Sequence, residues 1–211
     1  MGKSMHMSLG KKKMRLFRPP NMREKRQLEK GIFRVGKVDI PIKLDGTLIG
    51  VITDGTRHLG LYNKSGNMIE VINPKTKKSL GYFSFGDKSL KGRKINNSLR
   101  GKGIGSIALK YIEVKLAEQG IGKHRIETFK RSALNFFLRN GYYPPNIVSH
   151  NLAEQFLKNG NSENLPVGIE LVKTLEKPPE LMKTKHPIFV RGRDGKTKVY
   201  WISKRFVGEE P

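Results

Sequence analysis

In KVDIPIKL the apolar residues Val38, Ile40, Ile42 and Leu44 fall at every second position. That is the period of a half-buried strand, and Pro41 assigns the strand to a sheet edge. Four further runs follow: TLIGVITD (Thr47–Asp54), HLGLY (His58–Tyr62), MIEVI (Met68–Ile72) and LGYFSF (Leu80–Phe85). The turn-forming stretches DGT, NKSGN and NPKTKK separate them, which predicts an antiparallel meander. GRKIN (Gly92–Asn96) is expected to be its last strand.

The period then changes. Ile104, Ile107, Ala108, Tyr111, Ile112 and Leu116 recur at helical spacing up to Gly120, predicting a helix. HRIETF (His124–Phe129) reads as a short strand, and RSALNFFLRNG as a helix from Arg131 that stops at Gly141. Strand, helix, strand, helix at these lengths implies crossover connections and some parallel pairing. Beyond Pro144-Pro145 the sequence predicts a helix over LAEQFLKN, with Asn151 before it and Gly160 after it. VGIELVKT (Val167–Thr174) reads as a strand, and HPIFVRGRDGKTKVYWISKRFV as a hairpin turning at Asp194-Gly195. The fold class is mixed α/β (α+β), without an internal repeat.

Length and charge narrow the picture. A chain of 211 residues suits one domain with appendages. The 42 Lys and Arg against 18 Asp and Glu give a net charge of +24. A globular core does not need that excess, which favours a polyanionic partner such as RNA, DNA or a ribosome. Residues 1–30 hold ten of the cations and two Glu around Pro19-Pro20. They read as a basic arm with a short helix after Asn21, and residues 31–211 as a single domain. The absence of cysteine excludes disulfides, Cys-based zinc sites and a thiol nucleophile, and no metal is expected. No apolar run approaches the roughly 20 residues of a membrane span, and the basic start lacks a signal-peptide core. A cytoplasmic protein is the expectation.

Candidate chemistry begins at LRGKGIGSIALKYIE (Leu99–Glu113), where Gly101, Gly103 and Gly105 precede the helix. Residues without a Cβ let an anion reach the free N–H groups of a helix start, where the helix dipole is positive. Arg100 and Lys102 add charge to such a cradle, and Ser106 a hydroxyl. A tight strand-to-helix turn without a ligand explains the same glycines. A Walker loop is excluded, because Val190 stands where Gly195-Lys196-Thr197 would need its first glycine. A dinucleotide fingerprint fails at Ser106.

Arg100-Gly101-Lys102-Gly103-Ile104-Gly105 resembles the R/Q-x-x-G-x-G/A coenzyme A motif of the GNAT N-acetyltransferase superfamily. Ala133 to Tyr142 (ALNFFLRNGY) resembles that family's A-x-x-F-Y-x-x-x-G-F helix, so the likeness spans about Ile95 to Tyr142. The resemblance implies a central twisted mixed sheet flanked by helices, with a coenzyme-binding core at about 92–143 and closing strands within 167–207. It implies acetyl-CoA as cosubstrate, its pyrophosphate held by Arg100, Gly101, Lys102, Gly103, Ile104, Gly105 and Ser106. The acetyl and pantetheine groups would lie where the preceding strand splays from HRIETF, beside backbone groups of Ile95 and Asn96.

Two positions depart from the family pattern. Phe137 stands where a proton-donating Tyr is common, and Lys130 where an Asn is usual. Tyr142, Tyr143 or a water are the substitutes for the acid, and Glu127 or Glu70 the candidate base. Each carboxylate reads first as a solvated strand residue and second as a base. His124 alternates onto one face with Ile126 and Thr128 and reads as packed, and Phe136-Phe137 reads as core.

The closing hairpin interleaves Arg191, Arg193, Lys198, Lys204 and Arg205 with Phe189, Tyr200, Trp201 and Phe206. Rings beside cations suit single-stranded nucleic acid, while alternation in an ordinary hairpin predicts the same pattern. Two functions are therefore expected. One is an acetyl-CoA-dependent N-acyltransferase with an amine acceptor that is macromolecular or nucleic-acid-associated. The other is an inactive GNAT-like nucleic-acid-binding or structural protein.

Overall fold

A computed structural model describes residues 21–54, 57–64, 68–86, 89–93, 99, 101–159, 164–176 and 180–208. Its first element is α1 (Met22–Glu29), closed by a capping box in which the Asn21 side chain accepts from the Glu24 amide and Glu24 accepts from the Asn21 amide. Leu28 carries this helix into the core. The strands β1 (Ile32–Val35) and β2 (Val38–Pro41) form a separate antiparallel pair, which puts Pro41 at an edge as its missing N–H requires. Strand β1 is not anticipated above, because four residues turning tightly into the next strand carry too short a pattern.

The meander comprises β3 (Thr47–Asp54), β4 (Arg57–Lys64), β5 (Met68–Ile72), β6 (Ser79–Gly86) and β7 (Ser89–Arg93). Its last strand begins three residues before GRKIN, and residues 94–96 of that run lie outside the described residues. Helix α2 (Ile104–Glu118) and strand β8 (Lys123–Lys130) follow, then α3 (Arg131–Arg139), α4 (Ile147–Asn159) and β9 (Asn164–Thr174). The hairpin β10 (Lys185–Arg191) and β11 (Thr197–Ser203) ends the fold, and Lys204–Phe206 close into a 3-10 turn rather than extending the strand. Helix α4 starts four residues before Asn151. Its first turn is capped by Asn146, whose side chain accepts from the Ser149 amide.

Seven strands form one mixed sheet in the order β11-β10-β3-β4-β5-β6-β7. Its parallel contact is β10 with β3, so the parallel pairing does not flank α2 as the element order suggests. Strand β8 pairs antiparallel with β9 in a separate two-stranded sheet. Strand β7 approaches β8 without pairing to it among the described residues. The closing hairpin attaches at the opposite edge, beside β3.

Both faces of the large sheet are covered, which explains the near-continuous apolar run in β3. A register shift at Ile49 sends Leu48 and Val51 to one face and Ile49 and Ile52 to the other. One face packs on α2 through Ile104, Ile107, Ala108, Tyr111 and Ile112. The other packs on the β1–β2 hairpin and α1. The opposite side of α2 delivers Leu109 to a third cluster with β8, β9, α3 and α4. Helix α2 thereby joins the two sheets, and its close seating needs Gly50. A Cβ there would lie 2.6 Å from Ile107 Cγ2 and 3.0 Å from the Phe189 carbonyl oxygen.

Candidate functional site

The three glycines before α2 have three different structural reasons. Gly101 (φ +74°) and Gly103 (φ +82°) hold left-handed conformations that a Cβ penalises. Among the described residues nothing lies within 4 Å of a Cβ built on Gly101. A Cβ on Gly103 would run into the Arg191 guanidinium, with Cδ at 2.6 Å and Cζ at 2.7 Å. Gly105 has ordinary helical geometry, and a Cβ there would stand 3.2 Å from the Phe136 ring. This third glycine serves the packing of α3 on α2.

The start of α2 is electrostatically bare. Gly103 is the N-cap and contributes no side-chain hydrogen bond, and the first turn contains no acidic residue. The first intrahelical bond from beyond the cap is Ile107 N–H to the Gly103 carbonyl. The amides of Ile104, Gly105 and Ser106 precede it and have no helical acceptor. Arg191, at the end of β10, brings a cation to this place, held by a long 3.5 Å contact to Thr197 Oγ1. Lys102 is exposed and Ser106 half-buried at the same turn. Ile95, Asn96 and Arg100 lie outside the described residues.

Tyr142, the sequence candidate for the acid, lies in a buried side-chain network. It is 2% exposed, and its hydroxyl lies 2.6 Å from His124 Nδ1. Burial, and then the nearby Glu113 carboxylate, push its pKa far up. His124 Nε2 is buried and has no partner among the described residues. Lys173 completes the cluster, donating to both Glu113 oxygens at 2.8 and 2.7 Å and to the Asn140 carbonyl at 2.8 Å. Its Nζ also lies 5.4 Å from the centroid of the Tyr142 ring. Burial, then Lys173, lower the His124 pKa. Tyr142 thus sits buried in a side-chain network with His124, Glu113 and Lys173. Phe137 is buried beside it, edge-on to its ring.

Glu127 is exposed on the outer face of β8, opposite in phase to His124, Ile126 and Thr128. Its carboxylate lies across Gly168 of β9, and its cross-strand partner is Glu170. Glu70, on β5, is in an ion pair with Lys64 at 2.5 Å. Tyr143 is exposed, and its backbone bridges to Val172.

The cations of the closing hairpin separate into groups. Arg191 goes to the glycine turn, while Arg193 and Lys198 are exposed at and beside the hairpin tip. Lys204 is half-buried. Trp201 and Arg205 line a cleft of about 220 Å³ against α1. Neither the Arg191–Gly103 contact nor the Glu113–Lys173 pair has a local signal in the sequence, because the partners lie on elements far apart in the chain.

Among the described residues, no group of three or more His, Asp or Glu is placed to hold a metal ion. No described helix is long and apolar enough to cross a membrane. No protein-family model matches the chain, and no curated protein does.

Proposed function

We propose that the chain is a GNAT-like N-acyltransferase that takes acetyl-CoA as cosubstrate and an amine as acceptor. The observation that carries this reading is the pairing of Arg191 with Gly103 at the uncapped start of α2. A guanidinium, three amides without a helical acceptor and a helix dipole converge there, a donor set that fits a phosphate diester. Among the described residues nothing crowds Gly101, which leaves the group a way in. The amides of Ile104, Gly105 and Ser106 would hold the pyrophosphate and Arg191 would clamp it, a role the motif likeness alone does not assign. When bound, the coenzyme supplies an acetyl thioester activated toward an amine.

The unpaired approach of β7 and β8 supports the same reading, since the acyl arm needs a gap between those strands. Tyr142 takes no part in proton transfer in this reading, because its hydroxyl is buried and hydrogen-bonded to His124. Exposed Glu127 remains free to meet an incoming ammonium group from solvent. The large positive charge suits an acceptor carried on a polyanion.

Calorimetric titration of acetyl-CoA into wild type and Arg191→Gln tests the proposal. Removing one charge-assisted contact, at about 1.5 kcal/mol, weakens binding about tenfold. Absence of binding by folded wild type would overturn it and favour the second reading, a binding protein with this fold and no acyl transfer. Burial of Phe137 where a proton donor is common is the observation behind that alternative.

A further inference from the structure

Helix α1 belongs to the basic N-terminal segment and β11 to the far end of the chain, yet they meet. Lys25 and Leu28 from α1 face Trp201, Arg205 and Phe206 across the 220 Å³ cleft, with Lys185 of β10 at its side. No carboxylate lines this cleft among the described residues. We propose that it binds single-stranded nucleic acid, with Lys25, Lys185 and Arg205 meeting phosphates and Trp201 and Phe206 meeting bases.

Three observations select that occupant. The cleft is smaller than the roughly 300–1,000 Å³ of a small-molecule pocket, so it suits part of an extended ligand. Its lining alternates cations with aromatic rings, the combination that holds backbone and bases together in sequence-tolerant single-strand binding. An acidic protein segment would use the cations and leave the rings without a role. Arg205 is also pre-organised, its guanidinium lying 4.7 Å from the Phe206 ring centroid. Around α1, Arg23 lines a second cleft with Lys37, with Glu24 and with Arg34, the latter paired to Asp39.

Trp201 is the single tryptophan of the chain, so its fluorescence reports on this cleft alone. The experiment titrates a twelve-nucleotide oligouridylate into the full-length protein, following tryptophan emission and oligonucleotide anisotropy across a salt series. Saturable quenching that parallels the anisotropy is the expected result. Lys25→Gln and Arg205→Gln, both at solvent-accessible positions, should each weaken binding about fivefold. Each should also lower the salt slope by about 0.7, the value of one phosphate contact on a single strand. Binding without any change in emission would overturn the proposal, as would a salt slope unmoved by either substitution. Equal quenching by polyglutamate would assign the cleft to acidic protein and overturn it too. No binding at low salt would have the same consequence. The inference is independent of the coenzyme reading, because oligonucleotide binding here leaves the Arg191→Gln titration unchanged in either outcome.

Discussion

Gly103→Ala separates what the glycine turn does for the fold from what it does for a ligand. The residue sits at φ +82° and ψ 10°, where a Cβ costs about 1–2 kcal/mol. Alanine also lowers the entropy of the unfolded chain, which offsets roughly 0.4–1 kcal/mol of that cost. The remaining steric term falls on Arg191, whose Cδ and Cζ lie 2.6 and 2.7 Å from the new atom. These atoms are near the end of a flexible side chain, and its contact to Thr197 Oγ1 is a long one at 3.5 Å. The guanidinium therefore swings away at little cost. The net expectation is about 1 kcal/mol of lost stability, or about 2–4 °C in Tm for a chain of this size.

The ligand effect is larger than the stability effect. With Arg191 displaced, acetyl-CoA affinity should fall about tenfold, matching Arg191→Gln. The double variant should bind no more weakly than either single one, since both remove the same contact. Urea denaturation and calorimetry on the four proteins of this cycle measure both quantities. A stability loss above about 3 kcal/mol would refute the reasoning, because Arg191 would then be locked against Gly103. Additive affinity losses would refute it as well.

Tyr142→Phe leaves buried His124 Nδ1 without its hydrogen-bond partner, and should cost about 1–3 kcal/mol in urea denaturation while coenzyme affinity stays at the wild-type value. A folded variant with lost affinity would return the hydroxyl to the functional site. The depressed pKa of His124 sets a pH dependence. The unfolded chain takes up a proton near pH 6.5 while the native imidazole stays neutral, so stability is full above pH 6.5 and declines as pH falls below it. Denaturation midpoints between pH 7.5 and 5 should show this slope in wild type and a shallower one in His124→Gln. Gly50→Ala forces a methyl against the Phe189 backbone carbonyl and Ile107, and should cost about 1–3 kcal/mol by the same denaturation assay. A neutral Gly50→Ala would show that α2 can lift from the sheet without penalty.

Local pattern was enough for most elements. The apolar runs MIEVI and TLIGVITD, bounded by turn residues, mark β5 and β3 to the residue, and helical spacing from Ile104 marks α2. Side-chain phase also told the faces of β8 apart, with His124, Ile126 and Thr128 inward and Glu127 outward. The start of α4 was missed because Ile147 and Val148 are exposed and break the apolar stripe, leaving Asn146 unmarked as its cap. Sequence spacing also located the glycine turn, because a left-handed backbone demands residues without a Cβ.

Other features depended on partners that the chain brings together only by folding. Strand β10 runs parallel to β3, and that pairing sets Arg191 on Gly103. The same tertiary placement puts Lys25 beside Trp201 and encloses Tyr142 with His124, Glu113 and Lys173. Hydrophobic period reports which face of an element is buried and is silent about what covers it. The turn was therefore legible in the sequence, while the cation over it, the cleft at α1 and the buried surroundings of Tyr142 were decided by the topology of the sheet.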